Sequence, residues 1–145
     1  NTLLFNGQQK YGEKRLESTN KRNASRCYAF GIQSGYQNYG VLIGSRSQMS
    51  IILAIPYSTL GRYMKSPDKV RLSRDQQTRL SYFLNIYQLI RTMFNNQTNV
   101  DNFISLKNHN GMFKGRHPID LLLEGCIENI RDTYRHIGED IFGLW

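Results

Sequence analysis

Apolar residues recur every three or four positions along most of the chain, which is the spacing of one face of an α-helix. The longest such stripe follows Ser73 and Gln76, a pair with the spacing of a helix-capping box. The stripe consists of Leu80, Phe83, Leu84, Tyr87, Ile90 and Phe94. We therefore predict a long core helix from about residue 73 to the polar sequence NNQTN. No stretch alternates between apolar and polar residues as a half-buried strand does, so the predicted fold class is all-α.

Shorter helices are predicted on both sides of this core helix. The first 30 residues show no sustained apolar period and should form an irregular arm, after which a glycine-weakened helix is expected from Gly31 to about Gly44. Proline favours helix starts and glycine favours helix ends. The helices expected on the C-terminal side are Val100–Leu106, Pro118–Gly125 and Ile127–Gly138.

A proline interrupts the apolar run that precedes the core helix. Ser45 and Gln48 form a second capping box that should start a short helix. Pro56 cannot continue that helix, which should end near Leu53, but it suits the start of a new helix running to about Lys65. Two short helices joined by a tight turn form a helix-turn-helix, whose second helix enters the major groove of DNA.

The second of these two helices carries polar and basic side chains that could contact DNA. Arg62 is the candidate base reader, since a guanidinium group can form two hydrogen bonds with guanine. Thr59 and Lys65 suit phosphate groups. Gly61 is expected on the same exposed face. The predicted DNA-binding residues are Tyr57, Ser58, Thr59, Arg62 and Lys65.

The distribution of charge supports a nucleic-acid-binding half. The chain carries 19 Lys and Arg against 11 Asp and Glu, a net charge of +8. Residues 1–74 hold 12 basic and 3 acidic residues, whereas residues 75–145 hold 7 basic and 8 acidic ones. An excess of positive charge favours an anionic partner. The predicted division is a basic arm over residues 1–30, a helix-turn-helix region over 31–72 and a helical region over 73–145.

Catalytic and metal chemistry are not indicated. The two cysteines and three histidines lack metal-ligand spacing, and no disulfide framework is suggested. Asp120 and Glu124 are expected to be charges in the first turn of a helix rather than catalytic acids. The sequence contains no nucleophile elbow and no phosphate-binding glycine loop. We therefore expect that the protein is not an enzyme and binds no cofactor. No apolar run approaches the roughly 20 residues of a membrane span and no signal pattern is present, so the expected location is the cytoplasm.

Three segments of the chain match a known family in their order and spacing. They are ILAIPYSTLGRY, RLSRDQQTRLSYFLNIYQLIRTMF and FKGRHPIDLLLEG. Together they resemble the Xre/MbcA/ParS-type antitoxins, whose patterns include Ile-Pro-x-Ser-Thr-Leu-x-Arg and Gly-Arg-Thr-Pro-x-Asp-Leu-Leu. The similarity covers about residues 31–145 and departs from the family pattern at Phe103, Ile104 and His117.

This resemblance implies an antitoxin of a type II toxin-antitoxin system. Such a protein neutralises an NAD-consuming RES-type toxin by direct binding, with C-terminal residues placed over the NAD pocket of the toxin. It also represses its own operon through the helix-turn-helix. A homodimer bound to operator DNA is expected because such proteins read paired half-sites. The residues expected to bind the toxin are Arg116, Pro118, Ile141, Phe142, Leu144 and Trp145.

Two other functions fit the same residues. A stand-alone transcriptional regulator would keep the DNA-binding helices without a toxin partner. A protein-interaction module with a degenerate helix-turn-helix is suggested by Ala54, which stands where the turn usually needs glycine, and by Gly61 within the second helix. The apolar C-terminal residues could also fold back onto the domain instead of contacting a partner.

Overall fold

A computed structural model describes residues 21, 24–33 and 45–142 of the chain. These residues are mostly helical and include no strand; one antiparallel bridge pairs Asn108 with Arg116. The all-α prediction is therefore confirmed for the described residues. Two 3₁₀ turns lie in the connections, at Pro67–Lys69 and Gly111–Phe113. The helices are α1 (residues 24–33), α2 (Arg46–Leu53), α3 (Tyr57–Lys65), α4 (Arg74–Met93), α5 (Gln97–Phe103), α6 (Pro118–Leu123) and α7 (Ile127–Phe142).

Helix α4 forms the centre of the fold, as its apolar stripe predicts. It packs along α7 and also contacts α2 and α5. Its start is fixed by the predicted capping box: the Ser73 hydroxyl accepts from the Gln76 N–H at 3.2 Å, and the Gln76 side chain accepts from the Ser73 N–H at 3.0 Å. Most of the stripe is buried, whereas Leu84 and Phe94 are half-buried at its margins. The capping box and the stripe thus set the register of the helix on which the other elements pack.

Helix α1 begins earlier than the sequence predicts. Residues 24–30 were expected to be irregular, but they are helical, and Ala29 is buried in the core. Ser25 is also buried, where its hydroxyl donates to the Val70 carbonyl at 3.0 Å and accepts from the Arg71 guanidinium. Packing against a distant segment therefore orders residues that lack an apolar period. The helix crosses the boundary predicted at residue 30, while most of the arm and residues 34–44 lie outside the described residues.

The C-terminal helix continues beyond the predicted end. Gly138 was expected to end it, but α7 continues to Phe142 and Gly138 is buried within it. Glycine costs only about 1 kcal/mol in a helix interior relative to alanine. Burial of Ile137 and the packing of Ile141 against the core outweigh that cost. Residues 139–142 thus belong to α7 and not to a separate tail.

The two short helices α5 and α6 begin in different ways, α5 after a side-chain cap and α6 at a proline. Helix α5 begins at Gln97, three residues before the predicted start at Val100, because the Asn96 side chain accepts from the Asn99 N–H at 2.8 Å. Helix α6 begins at Pro118 as predicted. Gly125 follows the end of α6 with φ 77, the left-handed conformation expected of a terminating glycine.

Candidate functional site

A three-residue turn, Ala54 to Pro56, joins α2 to α3. Ala54 is left-handed, with φ 53 and ψ 40, although a residue with a Cβ atom adopts this conformation at a cost of about 1 to 2 kcal/mol. Two side chains hold the turn: the Ser50 hydroxyl donates to the Ile55 carbonyl at 2.5 Å, and the Gln76 amide donates to the Ala54 carbonyl at 2.9 Å. The turn thus has the conformation that glycine usually supplies, and contacts from α2 and α4 maintain it.

Apolar side chains fix α3 against α2. Leu53, Ile55 and Leu60 are at most 1% exposed, as the sequence predicts. Pro56 directly precedes α3 and is not its first residue. The buried side of α3 is therefore set by these contacts, and the remaining side faces solvent.

The solvent-facing side of α3 carries most of the predicted DNA-binding residues. Ser58, Arg62 and Lys65 are exposed and recur at four- and three-residue spacing, so they share one side of the helix. Tyr57 is 51% exposed, and Thr59 is half-buried. Within the part of the chain that the structure describes, neither Arg62 nor Lys65 forms an ion pair. Both side chains are therefore exposed without a carboxylate partner among the described residues.

Gly61 does not lie on this exposed side; it is buried, so that prediction is wrong. The cause is Arg46 of α2, a residue that sequence reasoning missed. The Arg46 guanidinium lies 3.9 Å from the centroid of the Tyr57 ring, and a Cβ atom at position 61 would come within 2.7 Å of its Nη1 atom. The signal that could have indicated this contact is a glycine in the middle of an otherwise regular helix.

Arg79 is another arginine whose contacts the sequence did not indicate, and it is buried. It is 8% exposed on α4, and its Nε atom pairs with the Asp75 carboxylate at 2.7 Å. Its Nη1 atom donates to the Ile52 carbonyl at 3.2 Å and to the Gly125 carbonyl at 2.6 Å. One side chain therefore joins α2, α4 and the connection between α6 and α7.

Arg116 is the charged member of the predicted toxin-binding set. Its side chain is 49% exposed and pairs with the Glu124 carboxylate at 2.5 Å. The hydrogen bond from Arg116, followed by that from Asn129, holds the pKa of Glu124 below its usual value, so this carboxylate is charged at neutral pH. Asp120 lies in the first turn of α6, as predicted, and its carboxylate is 3.1 Å from His117 Nδ1. Glu124 was predicted in the same turn, but it caps the C-terminal end of α6.

The other residues of this set differ in their surroundings. Pro118 is buried at the start of α6, and Ile141 is half-buried against the core. Phe142 is the last residue of α7, while Leu144 and Trp145 lie outside the described residues. Ile141 therefore folds back onto the domain, which is the alternative arrangement predicted for the apolar C-terminal residues.

A cleft of about 530 Å³ opens near the C-terminal end of α4. The tilted ring pair of Phe94 and Phe103 lies at one wall, and Leu106, 60% exposed, lies at the rim. Asn102 and Asn110 are among its polar lining residues. Since α4 has 20 residues, the cleft lies about 30 Å along that helix from the end that contacts the α2–α3 turn.

Residues 21, 24–33 and 45–142 show neither a metal-binding cluster of side chains nor a membrane-spanning helix. In these residues no cluster of His, Cys, Asp and Glu side chains is arranged to bind a metal ion. None of their helices has the length and apolar character needed to span a bilayer. In comparisons with known proteins, no family model matches the chain, and no curated protein or solved structure is significantly similar to it.

Proposed function

We propose that this chain is the antitoxin of a type II toxin-antitoxin system. It binds operator DNA through α2 and α3, represses its own operon, and neutralises a RES-type toxin by direct binding. In this proposal the protein acts in the cytoplasm as a homodimer and is itself not an enzyme. The observation that carries the proposal is the left-handed turn at Ala54, followed by a helix that exposes Arg62 and Lys65, neither of which is in an ion pair with another described residue.

Electrostatics supports the DNA-binding part of the proposal. Residues 46–65 contain three basic residues and no Asp or Glu. A duplex carries one negative charge per about 1.7 Å of its axis, so a basic segment of this kind is attracted to DNA of any sequence. The exposed side of α3 therefore combines general attraction with a guanidinium group that can read bases.

The toxin-binding part rests on the resemblance of GRHPIDLL to the antitoxin pattern. In the structure, this segment forms the end of a loop and the start of α6, with Arg116 exposed before a buried Pro118. Arg79 joins the end of α6 to α2 through the two carbonyl groups that it binds. The segment that resembles the toxin-binding motif is thus connected to the DNA-binding helices through the core.

A stand-alone transcriptional regulator is the second candidate function. The geometry of α2 and α3 supports DNA binding without reference to a toxin, which is why this candidate remains. A gene for a RES-type protein beside the gene for this chain would favour the antitoxin. Failure of the wild-type protein to protect cells from the product of that gene would favour the stand-alone regulator.

Replacing Arg62 with alanine should weaken specific DNA binding by about 1 to 3 kcal/mol and relax the sequence preference, because a base contact is lost. Lys65→Ala is the matched control, since it removes a neighbouring exposed charge. It should weaken binding to all sequences alike and reduce the slope of log affinity against log salt by about 1. Gel-shift titrations over operator and random duplexes measure both effects. Wild-type specificity in Arg62→Ala would exclude Arg62 as a base reader.

Removing residues 143–145 should abolish neutralisation of the co-expressed toxin. Two of these residues, Leu144 and Trp145, are expected at the toxin, and aromatic residues are enriched among interface hot spots. Because α7 runs to Phe142, this truncation leaves all of its helical residues in place, unlike one that starts at Asp140.

Cell survival gives the readout of this truncation, and helical content and DNA affinity give the controls. Death of the cells with unchanged helical content and DNA binding is the expected result. Survival of cells that carry the truncated protein would exclude these residues as the neutralising element. Arg116 would then be the next candidate for the toxin contact.

A further inference from the structure

The Arg46 side chain is held in place without an anionic partner among residues 21, 24–33 and 45–142. Arg46 is the first residue of α2, and its guanidinium lies over the ring of Tyr57, the first residue of α3. Its Nε atom is buried and has no hydrogen-bond partner among the described residues, where no carboxylate pairs with it either. A guanidinium keeps its charge at all physiological pH values and carries five N–H donors. Arg46 therefore carries a positioned positive charge that no carboxylate among the described residues neutralises.

Gly61 makes this position possible. Glycine in a helix interior costs about 1 kcal/mol relative to alanine, so its presence in the middle of α3 needs a reason. A Cβ atom at position 61 would lie 2.7 Å from Arg46 Nη1 and would displace the guanidinium. Tyr57 and Gly61 are one turn apart on the same side of α3. The ring supplies a flat surface and the glycine supplies the space beside it.

We propose that Arg46 binds a backbone phosphate of the DNA duplex and that Tyr57 and Gly61 are positioning residues for its guanidinium. This inference rests on the proposed function. In a helix-turn-helix the first helix crosses the DNA backbone while the second enters the groove. Arg46 begins the first helix and its charged group lies beside the start of the second, which is where groove and backbone meet. A guanidinium binds phosphate through two parallel hydrogen bonds, and a side chain that is already ordered loses little entropy on binding.

Replacing Arg46 with glutamine should remove one phosphate contact. The slope of log affinity against log salt should fall by about 0.9, and affinity should fall by the same factor for operator and random-sequence duplexes. The probes are a random-sequence duplex and the duplex upstream of the gene for this chain. Tyr57→Leu, which removes the aromatic ring under the guanidinium, should lose more of the salt slope than Tyr57→Phe, which keeps the ring.

Gly61→Ala separates positioning from folding. Because alanine is the better helix former, this variant should melt at or above the wild-type temperature, since the atoms that it displaces belong to the end of a flexible side chain. It should nevertheless reproduce the loss of salt slope caused by Arg46→Gln. In the Arg46→Gln background, adding Gly61→Ala should cause no further loss of affinity, because the guanidinium is already absent.

The outcomes distinguish this inference from the function on which it rests. If the wild-type protein shows no salt-dependent DNA binding, the proposed function is wrong. If the wild type binds and Arg46→Gln keeps the wild-type affinity and salt slope, only the phosphate contact is wrong. If Gly61→Ala weakens binding further in the Arg46→Gln background, the glycine serves the approach of α3 to DNA and not the position of Arg46. Gly61→Ala alone remains informative even if Arg46→Gln does not fold.

Discussion

Replacing Arg79 with methionine should lower the free energy of unfolding by about 2 to 5 kcal/mol, a large effect for an arginine in the middle of a helix. The reason is that removing the guanidinium leaves its carbonyl acceptors without a hydrogen-bond donor. Two carbonyl groups would lose their donor: the Ile52 carbonyl in a buried bond and the Gly125 carbonyl in a partly buried one. An unsatisfied buried acceptor costs about 1 to 3 kcal/mol. The partner carboxylate of Asp75 is half-exposed, so water can replace that ion pair at little cost.

A matched control is Arg135→Met, which removes the same charge from an exposed position on α7. It should change stability by no more than about 0.5 kcal/mol. Arg79→Lys should recover only part of the loss, because a single ammonium group does not reproduce the planar fork that reaches three partners. Urea denaturation of the variants gives the free energies. Equal stability of Arg79→Met and Arg135→Met would show that the three contacts of Arg79 contribute little to the fold.

Arg79 also shows why part of the fold could not be predicted from the sequence. Helix α4 was predicted correctly because the interactions that define it, such as the Ser73 and Gln76 capping box, join residues three or four positions apart. The carbonyl partners of Arg79 lie 27 and 46 residues away. The same holds for Ser25, which is 45 residues from the Val70 carbonyl that orders α1. Periodicity predicts which face of a helix is apolar, but not which buried polar group will be satisfied by a distant carbonyl.

The candidate site also has one part that local spacing predicts and one part that depends on contacts between distant residues. Exposure of Arg62 and Lys65 follows from the apolar spacing of α3 and was predicted. Burial of Gly61 was not, because the group that covers it comes from Arg46, 15 positions earlier on another helix. Ala54 is a third case: its side chain disfavours the left-handed turn locally, but hydrogen bonds from Ser50 and Gln76 hold the chain around it. Where a local preference and several tertiary contacts conflict, the contacts prevail.

Replacing Gly111 with alanine should destabilise the protein by about 2 to 4 kcal/mol, through backbone strain and steric overlap together. Gly111 has φ +45, and a Cβ atom there would lie 2.1 Å from Cε1 of His136 on α7. His136 has little room to move, because its side chain is only 17% exposed and its ring packs edge-on against Phe113 at 5.3 Å. The clash would therefore push the loop away from α7. That loop carries Arg116, whose carbonyl accepts from the Asn108 N–H at 3.0 Å.

A double-mutant cycle separates the two causes. In a His136→Ala background the overlap disappears, so the added cost of Gly111→Ala should fall to the strain of a left-handed alanine, about 1 to 2 kcal/mol. Gly115→Ala is the matched control: it also has a positive φ, +82, but the nearest atoms to a Cβ there belong to exposed His109 at 3.3 Å. Its cost should be strain alone and should not change with His136→Ala. If Gly111→Ala costs the same in both backgrounds, the loop relaxes away from α7 freely, and contact with His136 does not fix the position of Arg116.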